Sequence, residues 1–213
     1  MNVAVVTPHH DPKRSMFLDR LRFYMSRQTR KPDQWIIVDE PTNIKPDLTY
    51  RVRIGIERAI QNGADVILIM EDDDWYDPQY IEIMVDGWKR IGKPPLFGIG
   101  YTIYCYIFGG RFWNSQHKGR ASLMSTLITK EAALKFKYPH DTEVWLDMAM
   151  WKIAGGKTIE PNKAYSIGIK HGIGMCGGVG HNKGFSRYTS DPNHNELRKH
   201  IKEDLAWYLK LRQ

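Results

Sequence analysis

Three short apolar runs, each followed by an amphipathic stretch, constrain this 213-residue chain more than any other feature. The runs are "VAVVTP" (3–8), "QWIIVDE" (34–40) and "DVILIM" (65–70). They are short, rich in β-branched residues and closed by proline or acids, so they predict buried strands. Between the first two, Phe17, Leu18, Leu21, Tyr24 and Met25 recur at helical spacing and leave a basic face outward. Val52, Ile56, Ala59 and Ile60 mark a second helix stopped by Asn62–Gly63, and Ile81, Met84, Val85 and Trp88 a third. Asp77 is placed as N-cap of that third helix, with Pro78 at its first position and Gly92 near its end. A β-α-β-α-β-α order over the first 95 residues predicts an α/β fold, a mostly parallel central sheet flanked by helices on both faces.

The texture changes at Leu96. "FGIGYTIYCYIFGGRFWNSQ" predicts a hairpin at 100–114 around its Gly-Gly turn. "ASLMSTLI" is a further strand candidate, and "TKEAALKF" a short helix capped by Thr129. A helix over 142–156 follows, with Thr142 as N-cap, then short strands at about 157–160 and 163–170. A glycine-rich loop, "KHGIGMCGGVGHNKG", precedes a C-terminal helix from about Asn195. No repeat and no interdomain linker interrupts the pattern, so one continuous domain is expected, with halves at 1–95 and 96–213.

With 42% hydrophobic and 12% aromatic residues the chain can build a core, which excludes wholesale disorder. No apolar run approaches the roughly 20 residues that span a bilayer, and the N-terminus lacks the pattern of a signal peptide. The two cysteines, Cys105 and Cys176, show no metal-type spacing. These features together predict a cytoplasmic protein without stable membrane insertion. The net charge is +7, concentrated in two clusters. Lys13, Arg14, Arg20, Arg22, Arg27, Arg30 and Lys31 stand against Asp19 alone, and Arg111, Lys118, Arg120, Lys130, Lys135 and Lys137 against Glu131. Such clusters suit a polyanion (nucleic acid, a membrane surface or a phosphate-bearing substrate), or simply form solvated helix faces.

The third strand runs straight into four acids, Glu71 to Asp74, and the second ends in Asp39 and Glu40. In an open α/β sheet, ligands bind at the carboxyl ends of the strands. Acids also favour helix starts, but Asp77 already serves the next helix. Four adjacent carboxylates repel one another unless protonated or neutralised by a cation. A hard divalent ion, Mn²⁺ or Mg²⁺, held by one or two carboxylates together with substrate phosphates answers that repulsion.

"VAVVTP", "QTRKPDQWIIVDE" and "IQNGADVILIMEDDDWYDPQYIE" together resemble the nucleotide-binding half of a family-2-like glycosyltransferase, over roughly residues 3 to 90. The resemblance implies a Rossmann-like A-type fold, with 1–95 as the nucleotide-sugar half and 96–213 as the acceptor side. "EDDDW" stands where such enzymes carry an Asp-x-Asp-type motif. It further implies that Thr7 and Pro8 line the nucleotide pocket, that Asp39 accepts from base or ribose, and that Asp72 faces the ribose; His9 and His10, in a loop where relatives vary, are either nucleotide contacts or surface residues. Asp73 would ligate the metal, with Asp74 or Glu71 assisting and His171 completing the shell; His181 is the substitute. Arg51 or Arg53 would replace the arginine that relatives carry in the preceding helix. A UDP-sugar is the habitual donor, and inversion the habitual outcome. The catalytic base falls in "DTEVWLDMAM", which lacks the usual Glu-Asp pair; Asp147 is the first candidate and Glu143 the second, four apart on one helical face.

Small relatives with this pattern resemble those encoded by bacteriophages, some of which glycosylate hydroxymethylated pyrimidines in DNA. Arg111, Trp113, Lys118 and Arg120 are the matching acceptor-binding candidates, by phosphate contact and base stacking. Two other outcomes stay open: a surface polysaccharide or lipid glycosyltransferase, and a non-catalytic nucleotide or nucleic-acid binding module.

Overall fold

The computed structural model describes residues 1–10, 14–173 and 186–211. Its strands are β1 (Val3–Pro8), β2 (Gln34–Val38), β3 (Val66–Ile69), β4 (Trp75–Tyr76), β5 (Leu96–Ile99), β6 (Tyr101–Tyr106), β7 (Arg111–Gln116), β8 (Thr126–Thr129), β9 (Lys157–Ile159), β10 (Ser166–Lys170) and β11 (Thr189–Ser190). Its helices are α1 (Ser15–Arg27), α2 (Leu48–Gln61), α3 (Tyr80–Arg90), α4 (Lys130–Lys135), α5 (Leu146–Met150), α6 (Asn195–Ile201) and α7 (Leu205–Lys210).

The main sheet has the order β2-β1-β3-β8-β5-β9. β1 pairs in parallel with both β2 and β3, as the βαβ pattern requires. Alternate residues divide its two faces. Val3 and Val5 of β1, with Val66 and Leu68 of β3, pack toward α1 and α3. Ala4, Val6, Ile67 and Ile69 pack toward α2, α4 and α5. Gly55 lets α2 lie close on that second face, since a Cβ there would stand 2.3 Å from Val6 Cγ1.

A second sheet, β11-β7-β6-β10-β4, carries the predicted hairpin as β6 and β7. Its strand β10 runs parallel to β6 and antiparallel to the two-residue β4. β4 follows the acidic stretch directly, so this pairing folds the acids back against the end of β10. The C-terminal helices seal the α1 side of the core. Asp204, between them, accepts from Trp75 Nε1 at 2.8 Å and from Arg20 Nη2 at 2.5 Å, and the hydroxyl of Tyr24 meets that of Tyr208 at 3.1 Å.

Several expectations change. β8 is antiparallel to both of its neighbours, so the main sheet is mixed beyond β3. Only the last three residues of "ASLMSTLI" are strand, continuing to Thr129; Leu123–Ser125 forms a 3-10 turn instead. The Asp77 carboxylate accepts from the Gln79 N–H at 2.9 Å, in a turn that precedes the helix proper at Tyr80. The expected helix over 142–156 shrinks to Leu146–Met150, with Trp145 rather than Thr142 at its N-cap position. Thr142 and Glu143 lie outside it because their side chains serve local turns: Thr142 Oγ1 meets His140 Nδ1 and Glu143 Oε1 accepts from Trp145 N–H. Finally, the C-terminal helix breaks at Lys202, whose φ is 47°. The kink aims Asp204 inward. Thr129, by contrast, caps α4 as predicted, accepting from Ala132 N–H.

Candidate active site

Four acids occupy one turn, Glu71 to Asp74, between β3 and β4. Met70 continues the pairing of β3 with β1 through a 3.0 Å bond to Val6 O, so the turn opens at the carboxyl end of the parallel strands. β10 reaches it from the other sheet, and its last residues bring Lys170 and His171 against the acids.

Each aspartate has a distinct set of partners. Asp72 accepts from His9 Nδ1 at 2.6 Å and from Arg14 Nη2. Asp73 Oδ2 receives Arg14 Nη2 at 2.8 Å and His171 Nε2 at 2.9 Å. Asp74 Oδ1 accepts from the Ile169 N–H at 2.9 Å. His171 is fully buried, its ring 4.1 Å from that of Phe17 on α1. Its Nδ1 accepts from the Ile173 N–H at 3.3 Å, which leaves Nε2–H as the donor to Asp73.

Burial works against every charge here, and the surroundings decide which survive. Glu71 is pushed up to about 7 by burial and by Asp73 beside it. Burial and Asp73 also raise Asp74 well above the carboxylate range. Burial disfavours the ionised form of Asp73 too, but Arg14 and His171 outweigh it and hold this carboxyl far below its usual value. Lys170 shows the mirror image: burial would discharge it, yet Asp74, Asp73 and Glu71 keep it firmly protonated. The acids therefore split into an ionised Asp73 and two carboxyls, Glu71 and Asp74, that burial first and the charge of Asp73 second drive toward protonation.

The sequence candidates fall into groups. Glu71, Asp72, Asp73, Asp74, His9 and His171 come together in this cluster. Asp147 on α5 lies within its electrostatic reach, since it raises Glu71. Burial raises the Asp147 carboxyl above its ordinary value, and Arg120 Nη1, 2.6 Å from its Oδ2, opposes the rise. Glu143, outside the helix, does not share a helical face with Asp147, and its carboxylate is engaged by Trp145 N–H. Thr7 is fully buried and its hydroxyl accepts from Trp35 Nε1 at 3.0 Å, while Pro8 is buried at the end of β1. Asp39 is exposed at the end of β2. Arg51 is held by Asp47 at 2.6 Å and by Val38 O at 2.9 Å; Arg53 forks onto Asp141 at 3.1 and 3.0 Å. Both arginines tie α2 to its neighbours.

Of the acceptor candidates, Arg120 is the partner of Asp147, whereas Arg111 and Lys118 are exposed. Trp113 stacks on Tyr104 with ring centroids 5.5 Å apart. Trp145 and Met148, flanking Asp147, are also exposed. His181 and Cys176 lie outside the described residues. Much of the first basic cluster is committed internally: Arg14 to Asp72 and Asp73, Arg20 to Asp204, and Arg22 to Asp19.

Three site residues were not picked out from sequence: Arg14, Phe17 and Lys170. Arg14 was counted with the first basic cluster and Phe17 with the buried face of an amphipathic helix. Lys170 carried a usable signal, because a charge ending the buried run "SIGIK" obeys the same rule that drew attention to the acids.

For a divalent ion, Asp73 and His171 supply one carboxylate and one imidazole side by side, with the carboxyls of Glu71 and Asp74, which a cation would help to ionise, in the same turn. This donor set fits Mn²⁺ or Mg²⁺, provided the proton moves from Nε2 of His171 to Nδ1. Among the described residues no group of three or more His, Cys, Asp or Glu is arranged as a self-sufficient metal site. Substrate oxygens would complete the shell, as is usual for these ions.

No family model and no curated protein matches the sequence. Solved structures do. TarS 1–349 of S. aureus is similar at 8% identity with a TM-score of 0.56, covering 79% of this chain and 60% of that one. The same protein in complex with UDP-GlcNAc matches at 9% identity and a TM-score of 0.56, over 78% of this chain and 58% of that one. A glycosyltransferase involved in glycosylation of the major capsid of PBCV-1 matches at 14% identity and a TM-score of 0.48, over 76% and 84%. The chain thus spans about three-fifths of TarS 1–349, and the likeness establishes the fold: mixed α/β, with the central sheet flanked by helices in the A-type glycosyltransferase arrangement.

Proposed function

We propose that this protein transfers a sugar from a nucleoside-diphosphate sugar to an acceptor hydroxyl. The observation that carries the proposal is the meeting of Asp73 with His171, 2.9 Å apart, inside a four-acid turn at the carboxyl end of β3. The A-type fold and the crystallised complexes of TarS with UDP-GlcNAc and UDP support it and favour a UDP-sugar as donor.

The chain's own residues divide the work. In this reading Asp39 accepts from the base or ribose, and Asp72, held by His9 and Arg14, faces the ribose. Asp147, steadied by Arg120, takes the proton of the acceptor hydroxyl as its oxygen bonds to the anomeric carbon. The bond from that carbon to the diphosphate breaks, and the diphosphate leaves with the electron pair, which inverts the anomeric centre. Asp73 and His171 would hold Mn²⁺ or Mg²⁺, which when bound would offset, as a Lewis acid, the charge on the leaving group. Trp145 and Met148 beside Asp147 offer an exposed apolar surface for the acceptor.

The finer acceptor assignment is a hydroxymethylated pyrimidine in DNA, supported by exposed Arg111 and Lys118. Salt-dependent DNA binding tests it; a glycan acceptor predicts none.

The test of the function is thermal melting against UDP, GDP, CDP and ADP, each with and without Mn²⁺, followed by sugar release from the matching donor. A ligand at about 100 times its Kd stabilises by roughly 2.7 kcal/mol. A metal-dependent rise for one nucleotide is the expected result. No rise for any of them overturns the proposal in favour of a binding module without turnover.

A further inference from the structure

Lys170 ends β10 and is only 8% exposed. Three carboxyl groups, Glu71, Asp73 and Asp74, act on its charge, yet among the described residues it forms no ion pair with any of them. Arg14 and His171 take Asp73, and a backbone N–H takes Asp74. The ammonium group instead lies over the ring of Tyr104, 5.2 Å from its centroid. An ammonium so placed carries a desolvation cost that a ring face offsets only in part.

That placement is built into the sheet. Gly168 and Lys170 point to the same face of β10, two residues apart. Gly168 is the register partner of Tyr104 on β6. A Cβ at Gly168 would stand 2.4 Å from Tyr104 Cδ1, so the absence of a side chain is what lets the ring lie across β10. Trp113 backs the ring from β7. Asp147, Asp74 and Glu71 all act electrostatically on the same phenol, so the ring that seats Lys170 is close to both the acid turn and the candidate base.

We propose that Lys170, seated on Tyr104 and Gly168, is the anchor for the outer phosphate of the donor's diphosphate. The assignment deepens the nucleotide-sugar function proposed above and rests on it. An ammonium held in an acid-rich pocket without a carboxylate of its own is matched by an anion that arrives with the ligand. As the bond from the anomeric carbon to the phosphate oxygen breaks, that oxygen takes the electron pair and gains charge. Lys170 pairs with it there, in a site already screened from water.

Calorimetric titration with UDP, inorganic pyrophosphate and uridine, in Mn²⁺ and again in EDTA, tests this on wild type, Lys170→Met, Lys170→Arg and Gly168→Ala. Lys170→Met is expected to weaken UDP and pyrophosphate by about 10- to 100-fold, the range of a charged hydrogen bond, in both buffers. Uridine binding should stay unchanged. Lys170→Arg should recover most of the loss, and Gly168→Ala, which displaces Tyr104, should reproduce part of it. Equal UDP affinity in wild type and Lys170→Met overturns the assignment and leaves the nucleotide-sugar function standing. So does an equal loss for uridine, which marks a merely structural lysine. Wild type that binds neither UDP nor pyrophosphate in either buffer overturns both.

Discussion

Nε2 of His171 lies 2.9 Å from Oδ2 of Asp73, a contact spanning 98 positions that joins the second sheet to the acid turn of the first. It depends on β4 pairing with β10, which fixes Ser166 opposite Tyr76 and Ile167 opposite Trp75. It depends also on Phe17, whose ring holds the imidazole from α1. Arg14 and His171, from two distant segments, therefore converge on one carboxylate oxygen of a third.

Asp73→Asn is the direct probe of that convergence. Asparagine keeps the volume but loses the charge that holds Arg14 and His171 in place. Mn²⁺-dependent stabilisation by UDP should fall by about 100-fold in apparent affinity or more, beyond the 10- to 100-fold typical for losing a residue that merely supports a metal ligand. Far-ultraviolet circular dichroism should be unchanged. Retained Mn²⁺ dependence in the variant would move the metal to Glu71 or Asp74.

Glu71 predicts a pH dependence of stability. Its carboxyl, ordinarily near 4.5, is pushed up to about 7 in the folded protein. Between those values the folded state holds a proton that the unfolded chain has released. Glu71 therefore costs stability progressively as pH rises through that window, and the cost is constant above it. Glu71→Gln lacks this cost. The melting-temperature gap between Glu71→Gln and wild type should widen from about pH 4.5 to about pH 7 and then level off. The gap should narrow in saturating Mn²⁺ and UDP, because the ligands offset the repulsion. A gap independent of pH between 4 and 8 is the result that would count against the acid cluster as described.

The first half of the fold was legible because its strands and helices carry their own periodicities, and Val3 to Val6 alternate cleanly between two cores. The acid turn was legible because charge at the end of a buried strand violates the pattern around it. The region after Leu96 was less so, since β8 runs antiparallel between β3 and β5 and β10 serves a different sheet; pairing partners leave little mark on a four- or five-residue run. Asp147 could be named because the resemblance puts the base in "DTEVWLDMAM", but the helix meant to join it to Glu143 forms only at Leu146. Local side-chain bonds of Thr142 and Glu143 win over helix propensity there. Arg14 looked like surface charge, and only the three-dimensional placement reveals that it turns inward onto Asp72 and Asp73.

Gly55 gives a prediction about the fold alone. Alanine would place Cβ 2.3 Å from Val6 Cγ1, between α2 and β1, with neighbours on Val38 as well. Overpacking of this kind costs about 1–3 kcal/mol. Gly55→Ala should lower the melting temperature by several degrees despite the better helix propensity of alanine. Gln61→Ala, at an exposed position of the same helix, should move stability by less than about 0.5 kcal/mol. Equal melting of the two variants would mean that α2 packs more loosely than described.

Asp147 and Arg120 separate binding from chemistry. Asp147→Asn should leave UDP affinity within experimental error of wild type and reduce transfer by about 10²- to 10⁴-fold, the usual worth of a positioned general base. Glu143→Gln should retain most activity, since its carboxylate serves a turn. Arg120 supplies the sharper test. Burial raises the Asp147 carboxyl and Arg120 opposes the rise, so Arg120→Met removes the opposing charge and lifts the carboxyl further. A base must be ionised to accept a proton, so the acid limb of kcat/KM should shift to higher pH in Arg120→Met while the rate at high pH changes less. The profile is to be measured with a saturating acceptor so that any acceptor contact of Arg120 drops out. An acid limb at the same pH in both proteins would exclude Asp147 as the base, whatever the loss in Asp147→Asn.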